Sequence, residues 1–209
     1  MPSIVPSSVG AIVISIIALL MGIFLAILST RRNQELWIRW GSAISFVVSL
    51  HGLVVFFQFN LSESKFNLIC EHIQMSNFVL LVHACYKFTI HYFRIQNPPH
   101  YKKIIWLNAA WLLMIWWPGL IVEQEFVYRH FLWLAEPYVE SPVTWLGKFM
   151  LLYLVSVGLY IVRLWYQRKE KAGKEEKMFI AGFMIWYLFC IHDFLCVLGL
   201  KSVQYLNVY

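Results

Sequence analysis

The chain has 209 residues, 60% of them hydrophobic and only 13% charged, and it carries a net charge of +6. That charged fraction is well below the roughly 25% of soluble domains, and the apolar stretches leave no room for a soluble catalytic domain. The basic residues sit in short connections between apolar stretches, where they read as topology signals and lipid-headgroup contacts and not as a nucleic-acid footprint.

Six apolar stretches follow one another, at about residues 6–29, 36–61, 66–93, 104–122, 145–166 and 178–200. A helix needs about 20 apolar residues to cross the roughly 30 Å hydrocarbon core. In lipid only helices and closed barrels satisfy every backbone group internally. The expected fold is therefore an all-α, polytopic transmembrane bundle, a single unit spanning residues 1–209. The first stretch is not a cleavable signal peptide, because it lacks a basic leader, its apolar core is too long, and Arg31 and Arg32 stop it on the far side.

The connections alternate in charge. Arg31, Arg32 and Arg39 flank the first, Arg94, Lys102 and Lys103 the third, and Arg168, Lys169, Lys171, Lys174 and Lys177 the fifth. The second offers only Lys65, and the fourth sets Arg129 and Lys148 against Glu123, Glu125, Glu136 and Glu140. Lysine and arginine favour the cytoplasm, so the odd connections are expected inside and the N-terminus outside. Residues 123–144 form the one long external segment. It contains EQEFVYRHFLWLAEPYVESP, whose aromatics favour the headgroup region, so a short interfacial helix or a lid over the bundle is expected there. After Tyr205 the chain stops where another span could begin, and it is expected to be cut at or before a seventh helix.

Ionisable groups inside a membrane are costly and mark functional sites. At about 100° per residue, His72, Ser76, His83, Lys87 and Arg94 share one side of the third stretch, with Glu71 beside it. Two readings stay open. The stripe can face other helices and be satisfied by hydrogen bonds, with Lys87 reaching toward water; or it can line a wet cavity that binds a polar ligand or changes protonation. The sixth stretch carries His192 and Asp193, and an ionised carboxylate at that depth needs a partner. His51 and Gln58 lie in the second. Cys70, Cys85, Cys190 and Cys196 form no CxxC pair and no zinc-like spacing with histidine, so no metal site is expected. No phosphate loop, nucleophile elbow, zinc-protease or dinucleotide motif occurs, and no catalytic residue is assigned.

The fifth stretch runs straight into a basic tract as LLYLVSVGLYIVRLWYQRKEKAGKEEK, and the sixth reads FIAGFMIWYLFCIHDFLCVLGL before a further helix would start. Together these resemble the seven-transmembrane sensor region at the N-terminus of bacterial histidine kinases and related signalling proteins. Residues 193–199 are the motif-like part; the rest of the likeness is hydropathy and loop pattern. His192 stands where such regions more often have asparagine. The resemblance implies a sensory input unit in the cytoplasmic membrane of a bacterium. It would detect a small molecule or a membrane state and pass it to a cytoplasmic output module, a histidine kinase or diguanylate cyclase, carried downstream or on a partner protein. Such proteins generally act as homodimers. Glu71, His72, His192 and Asp193 would line the input pocket beneath residues 123–144, with His83 and Lys87 further along the stripe.

Two other readings compete. A haem b oxidoreductase would use His51 and His83, at matched depth on different helices, and His72 with His192 as a second pair. A small transporter would want internal repeats or broken helices near the midplane, and no convincing repeat relates the first three stretches to the last three.

Overall fold

The computed structural model describes residues 6–31, 35–60, 64–96, 98, 100–129 and 138–167, together with Lys177, Ala181, Met184, Tyr187, Leu188, Ile191 and Leu195. Five helices run through them: α1 (Pro6–Arg31), α2 (Leu36–Asn60), α3 (Ser64–Tyr92), α4 (Tyr101–Ile115) and α5 (Trp145–Tyr166). Among the described residues, the four helices α1, α2, α3 and α5 are long and apolar enough to cross a membrane. The chain is thus a helical membrane protein.

Successive helices run antiparallel, so α5 returns parallel to α3. Helix α3 is the hub, packing against α2, α4 and α5. Of its spanning window 56% is buried, against 17% for α1. Helix α1 turns Ile14, Ile17, Leu20 and Phe24 outward, as a lipid-facing helix does.

What holds α1 to α2 is close backbone approach. Ser8, Ser15, Gly22 and Ser29 recur at every seventh residue of α1, and all four are buried. Lipid tails are as apolar as leucine, so helices in a membrane gain by tight packing and interhelical hydrogen bonds, for which small residues are suited. Ser15 Oγ donates to Ser49 O at 2.6 Å, and Ser42 Oγ donates to Gly22 O at 2.8 Å. At Gly52 the helices come so near that a Cβ would lie 2.8 Å from Ala11 O.

Two apolar clusters fill the space between α3, α4 and α5. One gathers Tyr86, Ile90, Ile104, Ile161 and Trp165 where α3 ends and α4 begins. The other gathers Met75, Val79, Ile115, Ile121, Val122 and Met150 at the opposite end. Trp165 Nε1 donates to Thr89 Oγ1 at 2.8 Å, which lets the indole lie fully buried with its polar atom met.

The fourth apolar stretch is only partly a helix. Expected over residues 104–122, helix α4 starts at Tyr101 and ends at Ile115, about 22 Å long at 1.5 Å per residue. Pro118 disfavours helical backbone at Trp117, and Gly119 takes a left-handed φ of 72°, so the chain turns there. Ile121 and Val122 then enter the core as extended chain, and Thr144 Oγ1 accepts from Gly147 N at 3.1 Å to cap α5 while donating to Leu120 O.

Residues 123–144 depart from the expected interfacial helix. Their described parts pair as an antiparallel ribbon, β1 (Val127–Arg129) with β2 (Tyr138–Glu140), in the register Val127↔Glu140, and the pairing continues in a bridge between Val122 and Val143. β-Branched and aromatic residues favour such a surface, and Pro137 and Pro142 disfavour a helix across it. Strand β2 lies against α3.

The sixth expected stretch lies almost wholly outside the described residues. Tyr187 is described: its hydroxyl donates to Val155 O of α5. A Cβ at Gly158 would lie 2.2 Å from that tyrosine ring, so glycine at this position makes room for the contact.

Candidate functional site

The third helix carries polar groups at two levels. In its N-terminal half Glu71 is 7% exposed and accepts from Gln58 Nε2 at 2.6 Å, while Gln74 donates to Gln58 Oε1. One glutamine of α2 therefore joins two polar residues of α3 inside apolar surroundings. His72 points elsewhere: Nδ1–H donates to Leu68 O at 2.7 Å and the ring lies 5.7 Å from that of Trp116. Ser76 Oγ donates to His72 O at 2.9 Å. Asn67 and Asn77, each 2% exposed, bring Asn67 Oδ1 and Asn77 Nδ2 into the interior with no hydrogen-bond partner among the described residues.

In the C-terminal half a bridge crosses three helices. Asn108 Nδ2 of α4 donates to His83 Nδ1 of α3 at 3.1 Å, and Tyr153 of α5 donates its hydroxyl to Asn108 Oδ1 at 2.9 Å. Asn108 is 2% exposed and uses both ends of its amide. The His83 ring also meets Trp40 of α2 edge-on at 5.8 Å. One turn along α3, the Lys87 ammonium donates to the Tyr101 hydroxyl and lies over the Tyr101 and Trp40 rings, 4.2 and 5.8 Å from their centroids. A cation over aromatic faces is stabilised where water is scarce.

The bridge stands at a seam. Tyr153 and Val82 pack against both apolar clusters, one on either side of the His83–Asn108–Tyr153 line. A polar layer between two apolar layers fixes the axial register of the helices, because sliding any one of them would break the bonds in hydrocarbon.

Most of the expected stripe is met by hydrogen bonds to neighbouring helices or to its own backbone. His72, Ser76, His83 and Lys87 all have described partners. Arg94 leaves the stripe: α3 ends at Tyr92, and Arg94 is exposed with a left-handed φ of 51°. Glu71 and His72 face different neighbours, α2 and the end of α4. Asp193 and His192 lie outside the described residues. His51 packs its ring 5.2 Å from Phe78 and His83 packs against Trp40, so each histidine of the first haem pair has its own aromatic neighbour. Among the described residues no group of three or more His, Cys, Asp or Glu could hold a metal ion.

Asn108 and Tyr153 were not singled out from the sequence. The signal was available, since Asn108 is the one amide side chain in the apolar run of α4 that follows Lys103, and polar side chains in a span point to the bundle interior. Compared with known proteins, the chain matches no family model, no curated protein and no solved structure.

Proposed function

We propose that this chain is the membrane-embedded sensory input region of a signalling protein. It sits in the cytoplasmic membrane with its N-terminus outside, crosses six times, and reports a small molecule or membrane state to a histidine kinase or diguanylate cyclase module. The observation that supports this reading is the His83–Asn108–Tyr153 bridge. Three helices are tied at one polar layer between two apolar clusters, so any change that breaks the layer allows the clusters to slide against each other. The buried amide atoms of Asn67 and Asn77 that find no partner among the described residues lie in the other half of α3. Each costs about 1–3 kcal/mol while unpaired, and a polar ligand between α3 and its neighbours would recover that cost.

The energies suit a switch. Interhelical hydrogen bonds in a bilayer contribute about 0.6 kcal/mol each on average and up to about 1.7. Losing both bonds to Asn108 shifts an equilibrium by about 1–3 kcal/mol, within the roughly 5- to 150-fold range of typical allosteric couplings. A ligand shifts such an equilibrium only by its differential affinity for the two packings.

The test is the output of the intact signalling protein, read as kinase autophosphorylation or cyclic dinucleotide synthesis in membranes at matched protein level. Asn108→Leu is expected to change basal output several-fold, and Asp193→Asn and His72→Ala to change its response to stimulus. Output that stays at the wild-type level in all three variants would refute the sensory reading.

A further inference from the structure

Where α3 ends at Tyr92 and α4 begins at Tyr101, the chain passes from the membrane core to its surface and back. A cavity of about 500 Å³ opens there, lined by Ile90, Pro98, His100, Tyr101, Lys102 and Lys103. Its chemistry is one-sided. Ile90 supplies a buried apolar floor, and the rim carries two ammonium groups, an imidazole and a phenol but no carboxylate. Both lysines are exposed, and neither has an ion pair among the described residues.

Two further observations point the same way. Helix α4 has no acidic residue in its first turn and starts instead with Lys102 and Lys103. Cations beside the positive end of a helix dipole are unfavourable by some tenths of a kcal/mol each, and an anion between them reverses the sign. His100 holds a left-handed φ of 64°, and its side chain makes no capping bond. Its ring lies 6.5 Å from that of Tyr160 on α5. Non-glycine residues hold such a conformation where the surroundings demand it, often beside ligands.

We infer that this cavity holds the phosphate of an anionic phospholipid headgroup. Lys102, Lys103 and His100 surround the charge, and Ile90 and Pro98 receive the first carbons of the glycerol and chains. The depth is right for a lipid, because the cavity sits at the end of spanning helix α3, in the plane where phosphates of the bilayer lie. Basic pockets between membrane helices select anionic headgroups in this way. The assignment is independent of the sensory reading and of which leaflet the cavity faces. It also places a lipid phosphate next to Tyr101, whose hydroxyl holds Lys87.

The experiment uses the whole chain in nanodiscs of phosphatidylglycerol and phosphatidylcholine in equal parts, with bound lipids released and counted by native mass spectrometry. Wild type should retain phosphatidylglycerol over phosphatidylcholine, and in the double variant Lys102→Gln, Lys103→Gln that preference should fall by about 30-fold. Both lysines are exposed, so helix content and thermal midpoint should stay at wild-type values; a collapse of either is controlled by Lys102→Arg, Lys103→Arg, which keeps the charge and must keep the preference. Arg163→Gln, an exposed cation of α5 outside the cavity lining, should leave the preference intact. An equal loss in Arg163→Gln, or no preference in the wild type, overturns the site. Displacement of the bound lipid by millimolar inorganic phosphate would make the ligand a soluble anion and overturn the lipid assignment.

Discussion

Gly52 and Gly10 are both helical glycines of the α1–α2 pair, yet they stand in opposite surroundings. A Cβ on Gly52 would meet Ala11 O at 2.8 Å and Ser15 Cβ at 3.2 Å, whereas a Cβ on Gly10 meets nothing within 4 Å. The atom facing Gly52 is backbone, so it cannot turn aside; the helices must part by at least about 0.6 Å to restore ordinary contact at 3.4 Å. The same movement stretches the 2.6 Å bond from Ser15 Oγ to Ser49 O to about 3.2 Å, past the roughly 3.0 Å upper end of good hydroxyl geometry. Overpacking costs about 1–3 kcal/mol and the weakened hydrogen bond about 0.6 kcal/mol. Gly52→Ala should therefore destabilise the protein by about 1.5–3.5 kcal/mol. Gly10→Ala should be neutral or stabilise by up to about 1 kcal/mol through helix propensity. Reversible unfolding in mixed micelles, titrated with a denaturing detergent and followed by far-ultraviolet circular dichroism, measures both. Equal stability of the two variants, within about 0.5 kcal/mol, would show that the serine–glycine seam does not hold α1 to α2 and would refute the reasoning.

Tyr153→Phe removes one bond to Asn108 and should destabilise by about 0.6–1.7 kcal/mol, while Asn108→Leu, which strands both His83 and the Tyr153 hydroxyl, should exceed it; the same unfolding assay orders the two, and the reverse order would refute the bridge. Gly158→Ala places a methyl 2.2 Å from the Tyr187 ring and should release that ring from α5. Its effect should be lost in a Tyr187→Ala background, where the ring is absent, and a double-mutant cycle with coupling below about 0.5 kcal/mol would count against the contact.

The long helices were legible because hydrocarbon imposes a blunt rule. Helix α5 covers residues 145–166 as expected, and α1, α2 and α3 end within two residues of the sequence reading. The rule says nothing once the chain leaves helical backbone at membrane depth. Pro118 and Gly119 stand near the end of the fourth stretch, but hydropathy alone carries the expected helix through them to Val122. Ile121 and Val122 are as apolar as any spanning residues and are fully buried, yet they are buried as extended chain against α5. Apolar content reports burial, and only the turn residues report the backbone. The ribbon was missed for a related reason: its aromatic residues suit an interfacial helix as well as a strand, and pairing of β1 with β2 is non-local.

The polar site was half legible, and the missing half explains the rest. Scanning for ionisable groups finds His83 and Lys87, because charge in hydrocarbon is conspicuous. It passes over Asn108, Tyr153 and Tyr101, the uncharged groups that meet them. A buried histidine or lysine in a bundle must find a donor or acceptor on another helix, and an amide is the economical choice, since one side chain offers both. Given His83 on α3, the sequence therefore contained a second, answerable question: which polar residue of a neighbouring span lies at the same depth. With α3 and α4 antiparallel, Lys87 opposite Tyr101 and His72 opposite Trp116 place His83 opposite the middle of α4. Asn108 is the polar side chain there. The same register, carried one helix further, meets Tyr153 on α5. A polar layer of this kind is thus specified by pairs of residues read together, each of which looks unremarked on its own span.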